Sequence, residues 1–196
     1  MANHHLNGKP MLIVISGPSG VGKDAILNRM KTSKYGFHFT VTATTRQKRE
    51  GEIDGEDYIF LSMNEYVEKL HKNEFLESAK VYDNFYGVPK EQVNKALKSG
   101  QDVVIKIDVQ GAKTIKQHEP DGLFIFLTPP SMASLEKRLR LRMTESKDAL
   151  KLRLAMAESE MKESKWFDLV IENPDNDLDY AVSEIMEAIK KEKLAR

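Results

Sequence analysis

The sequence predicts an α/β fold built on a parallel β-sheet, because short apolar runs alternate with amphipathic segments along the chain. The apolar runs are continuous, as expected for strands that are buried on both faces. They lie at 11–15, 103–107, 123–127 and 169–171. The first run is followed by a glycine-rich stretch and then by a helical pattern at 24–30.

The later helices have clear start signals. Ser131 is placed to cap a helix that continues to about residue 142, and Asp177 is placed to cap the last helix. A long, highly charged segment at 145–165 predicts a further helix. The last helix carries one apolar stripe, made of Leu178, Ala181, Val182, Ile185, Met186 and Ile189.

The region 40–94 has a different pattern and predicts a small mixed α/β insert in the parallel core. Ser62 and Glu65 have the spacing of a capping box, which opens a helix. A second helix is expected to begin at Pro89 and to end at Gly100. Short strands are predicted at 40–45, 58–61 and 75–82.

The composition excludes several classes of function. The 30 basic and 30 acidic side chains balance, so no general attraction to nucleic acid or to an anionic membrane is expected. The absence of cysteine excludes disulfides and thiolate chemistry, and the five histidines lack the spacing of a metal site. No apolar run approaches the ~20 residues of a membrane span, and the first ten residues lack a signal-peptide pattern. We expect a cytoplasmic protein.

The strongest local signal is a phosphate-binding loop, or P-loop, at 17–23. It fits the pattern G-x-x-x-x-G-K, between a predicted strand and a predicted helix. Glycines let backbone N–H groups turn towards phosphate oxygens, and the helix N-terminus adds its positive dipole. The residues expected to bind the phosphates are Gly17, Pro18, Ser19, Gly20, Val21, Gly22 and Lys23.

Asp24 departs from the P-loop pattern, which has Ser or Thr after the lysine as a Mg²⁺ ligand. A carboxylate is also a hard oxygen ligand, so Asp24 is one candidate for holding Mg²⁺ or one of its waters. Alternatively, Asp24 only complements the positive end of the helix. Both interpretations remain open from the sequence.

The insert contains a second candidate phosphate site. Arg46 and Arg49 are separated by two residues in a predicted loop, and such a pair can grip one phosphate from two sides. Acidic and aromatic residues follow at Tyr58, Glu77 and Tyr86. Each of these residues alone is also compatible with a solvated charge or a core aromatic residue.

Together, the motifs resemble those of guanylate kinases. The stretch T-T-R-x-x-R-x-G-E-x-x-G-x-D-Y at 44–58 is followed by E-F-x-E at 74–77 and by Y-G at 86–87. The loop G-P-S-G-V-G-K, the segment I-D-V-Q-G and the segments F-L-x-P-P-S and R-x-x-x-R-x-T-E-S are similar to the same family. The resemblance covers about 11–194, with the motifs in the family's order.

The resemblance implies a fold of the P-loop nucleoside monophosphate kinase type. It has a five-stranded parallel core sheet with helices on both faces, a GMP-binding insert and a helical lid. In this sequence, the core would comprise 1–39, 93–130 and 165–196, the insert 40–92, and the lid with its flanking helices 131–164. A monomer or a homodimer is expected.

The resemblance also implies the roles of individual residues. Those expected to bind GMP are Thr42, Arg46, Arg49, Tyr58, Glu77, Tyr86 and Asp108, where Glu77 and Thr42 read the guanine. Those expected to act in catalysis are Lys23, Arg46, Arg138, Arg142 and Arg153. The P-loop and Asp24 are expected to bind ATP, and Asn173 would lie near its adenine. Mg²⁺ is the expected cofactor, with Asp24 and Asp108 as candidate ligands.

The implied activity is Mg²⁺-dependent transfer of a phosphoryl group from ATP to GMP or dGMP. Five positions depart from the family pattern: Asp24, Ala43, Val88, Lys106 and Leu141. Val88 would remove one contact to guanine or phosphate, Leu141 would stiffen the lid, and the sequence does not give the sign of the effect of Lys106 on the rate. Lys106 is positive where the family usually has Asp or Glu. Two alternatives remain: an inactive guanylate-kinase-like module that binds peptides, and a ribose 1,5-bisphosphate kinase, which often has G-K-D in its loop.

Overall fold

The computed structural model describes residues 8–33, 35–81, 83–141 and 147–196. One group of elements forms the parallel core: β1 (Leu12–Ser16), α1 (Lys23–Lys31), β2 (His38–Phe39), α3 (Lys90–Lys98), β7 (Val103–Lys106), α4 (Val109–His118), β8 (Leu123–Thr128), β9 (Leu169–Glu172) and α7 (Leu178–Ala195). The others are β3 (Ala43–Thr44), β4 (Ile59–Phe60), α2 (Met63–His71), β5 (Phe75–Val81), β6 (Asn84–Pro89), α5 (Met132–Leu141), α6 (Lys147–Lys162) and the 3₁₀ turn Glu163–Trp166.

Five strands of the described chain form a parallel sheet in the order β2-β7-β1-β8-β9. Successive residues of β1 serve opposite faces of this sheet. Ile13 and Ile15 pack towards α1 and α7, whereas Leu12 and Val14 pack towards α3 and α4. Because helices cover both faces of the sheet at β1, β7 and β8, these central strands are almost entirely apolar, whereas the edge strand β9 is mostly exposed. The predicted α/β class with its five-stranded core is confirmed.

A second, mixed sheet has the order β4-β3-β6-β5 and packs against α2. Ser62 and Glu65 form the predicted capping box at the start of α2. The ring of Tyr66, on that helix, stacks on Phe75 with 4.6 Å between ring centroids, and its hydroxyl donates to the Tyr86 carbonyl at 2.8 Å. These contacts fix β5 and β6, the strands that carry Glu77 and Tyr86.

Three elements were not predicted from the sequence patterns: β2, β6 and α4. β2 has only two residues, and β6 contains Gly87 and Pro89, which usually mark turns. Gly87 is required there because a Cβ would lie 2.8 Å from the Phe75 ring and from the Tyr66 hydroxyl. The predicted caps formed: Ser131 accepts from the Ser134 amide, and Asp177 accepts from the Tyr180 amide.

A buried ion pair joins three distant parts of the core. Lys193, on α7, donates to both oxygens of Asp102 at 2.8 and 2.7 Å. Asp102 also accepts from the backbone amide of Met11 at 2.9 Å, just before β1. This carboxylate therefore ties the last helix to the central strand. Across the described residues, no helix has the length and apolar character needed to cross a membrane.

Candidate active site

The P-loop connects β1 to α1, as the sequence predicted. Gly22 caps α1 with φ +108°, a left-handed conformation that favours glycine. A Cβ on Gly22 would also lie 2.4 Å from the Asn173 side-chain amide, so this position has room only for glycine. Lys23 folds back over its own loop, donating to the carbonyls of Gly17 at 2.5 Å and Pro18 at 3.2 Å. The loop is therefore closed around its lysine.

Lys23 has a low pKa for a lysine. Burial lowers the pKa of Lys23 to about 8, and the carboxylate of Glu160 opposes this most strongly. Burial in turn raises the pKa of Glu160, although Lys23 and the backbone N–H of Ser19 favour its ionised form. Glu160 lies on α6, so this helix brings a carboxylate to the same backbone N–H and ammonium groups that a nucleotide phosphate would use.

Asp24 and Lys106 are both departures from the family pattern, and they bind each other. Nζ of Lys106 lies 2.5 Å from Oδ1 of Asp24. Burial tends to lower the pKa of Lys106, but Asp24 outweighs it, so that pKa is raised overall. Lys106 ends β7 and Asp24 lies in the first turn of α1. The two unusual charges thus compensate each other at the carboxyl end of the sheet.

Arg46 lies in a cluster with two tyrosines. Its guanidinium binds Glu52 at 2.7 Å and lies 5.3 Å from the centroid of the Tyr58 ring. The Tyr58 ring is 6.1 Å from the Tyr86 ring, edge to face. Glu52 also accepts from the backbone amide of Arg49 at 2.8 Å, which fixes the loop between them. Arg46, Tyr58 and Tyr86, three predicted acceptor residues, are therefore neighbours.

Glu77 is a buried carboxyl, only 5% exposed, on β5. Burial raises the pKa of Glu77 to about 8, and the negative charge of Asp108 adds to this effect. Asp108 caps α4 by accepting from the Gly111 amide at 2.8 Å. A Cβ on Gly111 would lie 3.1 Å from the Glu77 carboxyl carbon, so glycine lets α4 approach that carboxyl closely.

The P-loop faces an open cleft of about 860 Å³. Its walls come from the P-loop, β5, the start of α4 and α6. Lys23, Asp108 and Arg153, all predicted from the sequence, line it together with Glu160. Glu77 instead lines a smaller space of about 420 Å³, between β5 and α4. The cleft is large enough to hold a small molecule beside the P-loop.

Arg138 and Asn173 lie behind the P-loop and brace it. Arg138 donates to the carbonyls of Val21 at 2.9 Å and Asn173 at 2.8 Å, and it also binds Asp175. The Asn173 side-chain amide donates to the Val21 carbonyl at 2.7 Å. Asn173 is buried, and its Oδ1 accepts no hydrogen bond within the described residues. In this arrangement both residues hold the loop in shape.

The remaining predicted residues are more widely spread. The side chain of Arg49 is exposed. Thr42 contributes its carbonyl to the Ile59 amide at 2.9 Å, which joins β3 to β4. Arg142 lies outside the described residues.

The charges around Lys23 bear on whether a metal ion fits. Glu160, Asp24 and Asp108 all act electrostatically on Lys23, and Glu160 and Asp108 line the cleft together with it. Among the described residues, no group of three or more His, Cys, Asp or Glu side chains is arranged to hold a metal by itself. Mg²⁺ is commonly bound by one or two carboxylates together with substrate phosphates. This donor set fits a shared ion of that kind.

Comparison with known proteins identifies the family. The model of the family described as guanylate kinase matches residues 9–192. The chain belongs to the guanylate kinase family. This is a family of ATP-dependent nucleoside monophosphate kinases.

Individual relatives agree with this assignment. A guanylate kinase of Carboxydothermus hydrogenoformans is 42% identical over 95% of this chain and 90% of its own length. Guanylate kinase 2, chloroplastic/mitochondrial, of Oryza sativa is 43% identical over 94% of this chain, which spans 65% of that longer relative. The crystal structure of guanylate kinase from Anaplasma phagocytophilum matches with a TM-score of 0.74 and 29% identity, covering 96% of this chain and 88% of that one.

Within this guanylate kinase fold, sequence reasoning missed the charged cleft residue Glu160 and the pairing of Asp24 with Lys106. Glu160 lies seven residues after Arg153 on α6, a spacing that puts both on one face of a helix and was available from the sequence. The contact between Asp24 and Lys106 spans 82 positions. Only the adjacency of β1 and β7 brings these two residues together, and the sequence patterns did not specify it.

Proposed function

We propose that this protein transfers the γ-phosphoryl group of ATP to GMP or dGMP, yielding ADP and GDP or dGDP. The observation that supports the acceptor most directly is the buried carboxyl of Glu77, on β5. Tyr86 lies on the neighbouring strand β6, and Arg46 and Tyr58 flank β3 and β4 of the same sheet. Guanine presents two adjacent donors, N1–H and the N2 amino group, which an ionised carboxylate can accept together. Adenine has no such pair of donors.

The phosphate of the acceptor would be bound by the cluster around Arg46. Arg46 is held in place by Glu52, and the hydroxyls of Tyr58 and Tyr86 can donate to phosphate oxygens. Arg49, next to this cluster, would approach from solvent. The donor phosphates would lie on the P-loop, with Lys23 and the amides at the start of α1 as their partners.

The reaction needs no general base, because the acceptor phosphate is already an anion. One of its oxygens attacks the γ-phosphorus of ATP, a new P–O bond forms, and the bond to the oxygen that bridges to ADP breaks. The side chains provide position and positive charge. We propose that Lys23 and Arg153 provide this charge from the cleft, and that Arg142 adds to it when the lid formed by 131–164 closes and excludes water.

Mg²⁺ would be held between the nucleotide phosphates and Asp108, with Asp24 as a further carboxylate nearby. The ion would neutralise phosphate charge. Asp24 binds Lys106 directly. Asp24 would therefore help to hold the metal either while it keeps this ion pair or after the ion pair opens. Arg138 and Asn173 would act on ATP by keeping the P-loop in shape.

The test is an assay that couples ADP release to a signal, with ATP and Mg²⁺ and a panel of acceptors. The panel comprises GMP, dGMP, AMP, UMP, CMP and ribose 1,5-bisphosphate. Turnover confined to GMP and dGMP is the expected result. Turnover with ribose 1,5-bisphosphate alone would reassign the acceptor. No turnover from folded protein that still binds GMP would support the peptide-binding module instead.

A further inference from the structure

Three elements meet at the ammonium group of Lys106. This residue ends β7 of the core sheet, Asp24 lies in the first turn of α1 beside the P-loop, and Tyr58 precedes β4 of the second sheet. Nζ of Lys106 is 2.5 Å from Asp24 and 5.9 Å from the centroid of the Tyr58 ring. Lys106 therefore bridges the part of the chain that binds the donor and the part that carries the acceptor cluster.

Two cations lie against the same ring. Arg46 and Lys106 are within 6 Å of the Tyr58 centroid, at 5.3 and 5.9 Å. Each has its own carboxylate, Glu52 for Arg46 and Asp24 for Lys106. Two positive groups beside the Tyr58 ring form a concentration of hydrogen-bond donors, which is what a phosphate dianion requires.

The bond to Asp24 does not exhaust the donors of Lys106. An ammonium group has three N–H donors, and this bond uses one of them. Asp24 anchors the group at the rim of the P-loop, and the side chain of Lys106 is about one-third exposed. A lysine is a compact charge on a flexible stem, so it can keep Asp24 and turn its other donors to a ligand.

We propose that Lys106 is a binding residue for the phosphate group of the acceptor nucleotide, on the side of that phosphate which faces the P-loop. This inference rests on the proposed function, since it requires a monophosphate acceptor over Tyr58. Lys106 and Arg46 then hold the acceptor phosphate from two directions. The charge added by Lys106 is present without a metal ion.

The experiment measures binding of GMP and, separately, of ADP by calorimetry in the presence of EDTA. Lys106→Met is compared with Lys106→Arg, which keeps the charge, and with Lys98→Met. Lys98 is an exposed lysine at the end of α3, just before β7, whereas Lys106 lies at the opposite end of that strand. Thermal denaturation of each variant reports whether the bond to Asp24 matters for stability.

The expected result is that Lys106→Met weakens GMP binding about tenfold, as for the loss of one charge-assisted hydrogen bond. ADP binding should change much less, Lys106→Arg should recover most of the GMP affinity, and Lys98→Met should match the parent. A lower melting temperature with unchanged GMP affinity would show a purely structural ion pair and overturn the proposal. Weakened binding of ADP alone would overturn it as well.

The proposed function fails in a different way. In that case the parent protein itself would not phosphorylate GMP in the acceptor assay, whether or not it binds GMP. If the parent binds and phosphorylates GMP while Lys106→Met has the same dissociation constant and KM for GMP, the function stands and only the role of Lys106 is wrong.

Discussion

The side-chain amide of Asn173 donates to the carbonyl of Val21 at 2.7 Å, across 152 positions of sequence. The same amide nitrogen lies 2.4 Å from the position that a Cβ on Gly22 would take. The P-loop is thus shaped from behind by the residue that follows β9. The two positions should behave as one unit.

Gly22→Ala should destabilise the protein by about 1–3 kcal/mol, because the new methyl group displaces Asn173 and the backbone is strained at positive φ. Asn173→Ala should cost a similar amount. The double variant should lose less than the sum, since the clash is gone when Asn173 is short. Urea denaturation of all four proteins measures this.

Gly100→Ala is the matched control for Gly22→Ala. Gly100 also has a positive φ, +84°, but nothing lies within 4 Å of a Cβ there. It should show the strain without the clash, and its effect should add to that of Asn173→Ala. If the effects of Gly22→Ala and Asn173→Ala on stability were also strictly additive, the contact between these two positions would contribute nothing to stability.

Glu77→Gln should stabilise the free protein at neutral pH. The folded-state pKa of Glu77, about 8, is above its ordinary value of 4.5, so the folded protein holds a proton that the unfolded chain releases. Stability is therefore lost as pH rises from about 4.5 to 8. At about 1.4 kcal/mol per pKa unit, the gain for Glu77→Gln approaches about 3 kcal/mol at pH 7 as an upper limit.

The measurement is urea denaturation of parent and Glu77→Gln at pH 5 and pH 8, with Glu184→Gln, at an exposed position on α7, as the control. The difference between Glu77→Gln and the parent should grow with pH. The same variant should bind GMP far more weakly while its ADP affinity is retained. A stability difference that is the same at both pH values would contradict the raised pKa.

ADP binding should be accompanied by proton uptake near pH 8. Because the pKa of Lys23 is about 8, its amino group is uncharged in about half of the free protein molecules at that pH. Nucleotide phosphates favour the charged ammonium form. Calorimetry in buffers of different ionisation enthalpy should show uptake of about half a proton. GMP should show the opposite sign, proton release, because guanine donors favour ionised Glu77.

Lys23→Met tests the source of the uptake, since Glu160, Asp24, Lys106 and Asp108 also act on Lys23 electrostatically. The variant should bind ADP weakly and with little uptake. Uptake that persists at its full value in Lys23→Met would assign the proton to another group, Glu160 first.

Glu160→Gln should tighten ADP binding several-fold. The carboxylate of Glu160 faces Lys23 and the Ser19 amide, so it competes with the β-phosphate for the same positive groups. Glu158→Gln, two residues earlier on α6 with an exposed side chain, provides the control. Weaker ADP binding in Glu160→Gln would instead mean that this carboxylate supports the loop in the bound state.

The core strands and the P-loop were predictable because they depend on local patterns. A continuous apolar run such as 11–15 identifies a strand buried on both faces, and the spacing of Gly17, Gly22 and Lys23 identifies the loop. β6 was not predictable by this route, because Gly87 and Pro89 resemble turn residues. Its glycine is explained only by the Tyr66 and Phe75 rings that pack on it from elsewhere.

Within the site, the structure brings some of the predicted residues together and places others apart. Arg46, Tyr58 and Tyr86 meet as the motif spacing implied. Arg138 belongs to a motif with a lid role, yet its donors reach Val21 and Asn173 behind the loop. The positions of β9, which Asn173 follows, and of α5, which carries Arg138, determine that geometry. Local sequence patterns do not specify how these two elements pack.

The ion pair between Asp102 and Lys193 has a consequence for the order in which the chain is completed during synthesis. Asp102 lies 91 positions after Met11, and Lys193 lies 91 positions after Asp102. The ribosome therefore synthesises Asp102 long before Lys193. A nascent chain that had already folded β1 and β7 would bury the Asp102 carboxylate without its positive partner. Since an unpaired buried charge is costly, we expect the core sheet to stay open until α7 emerges.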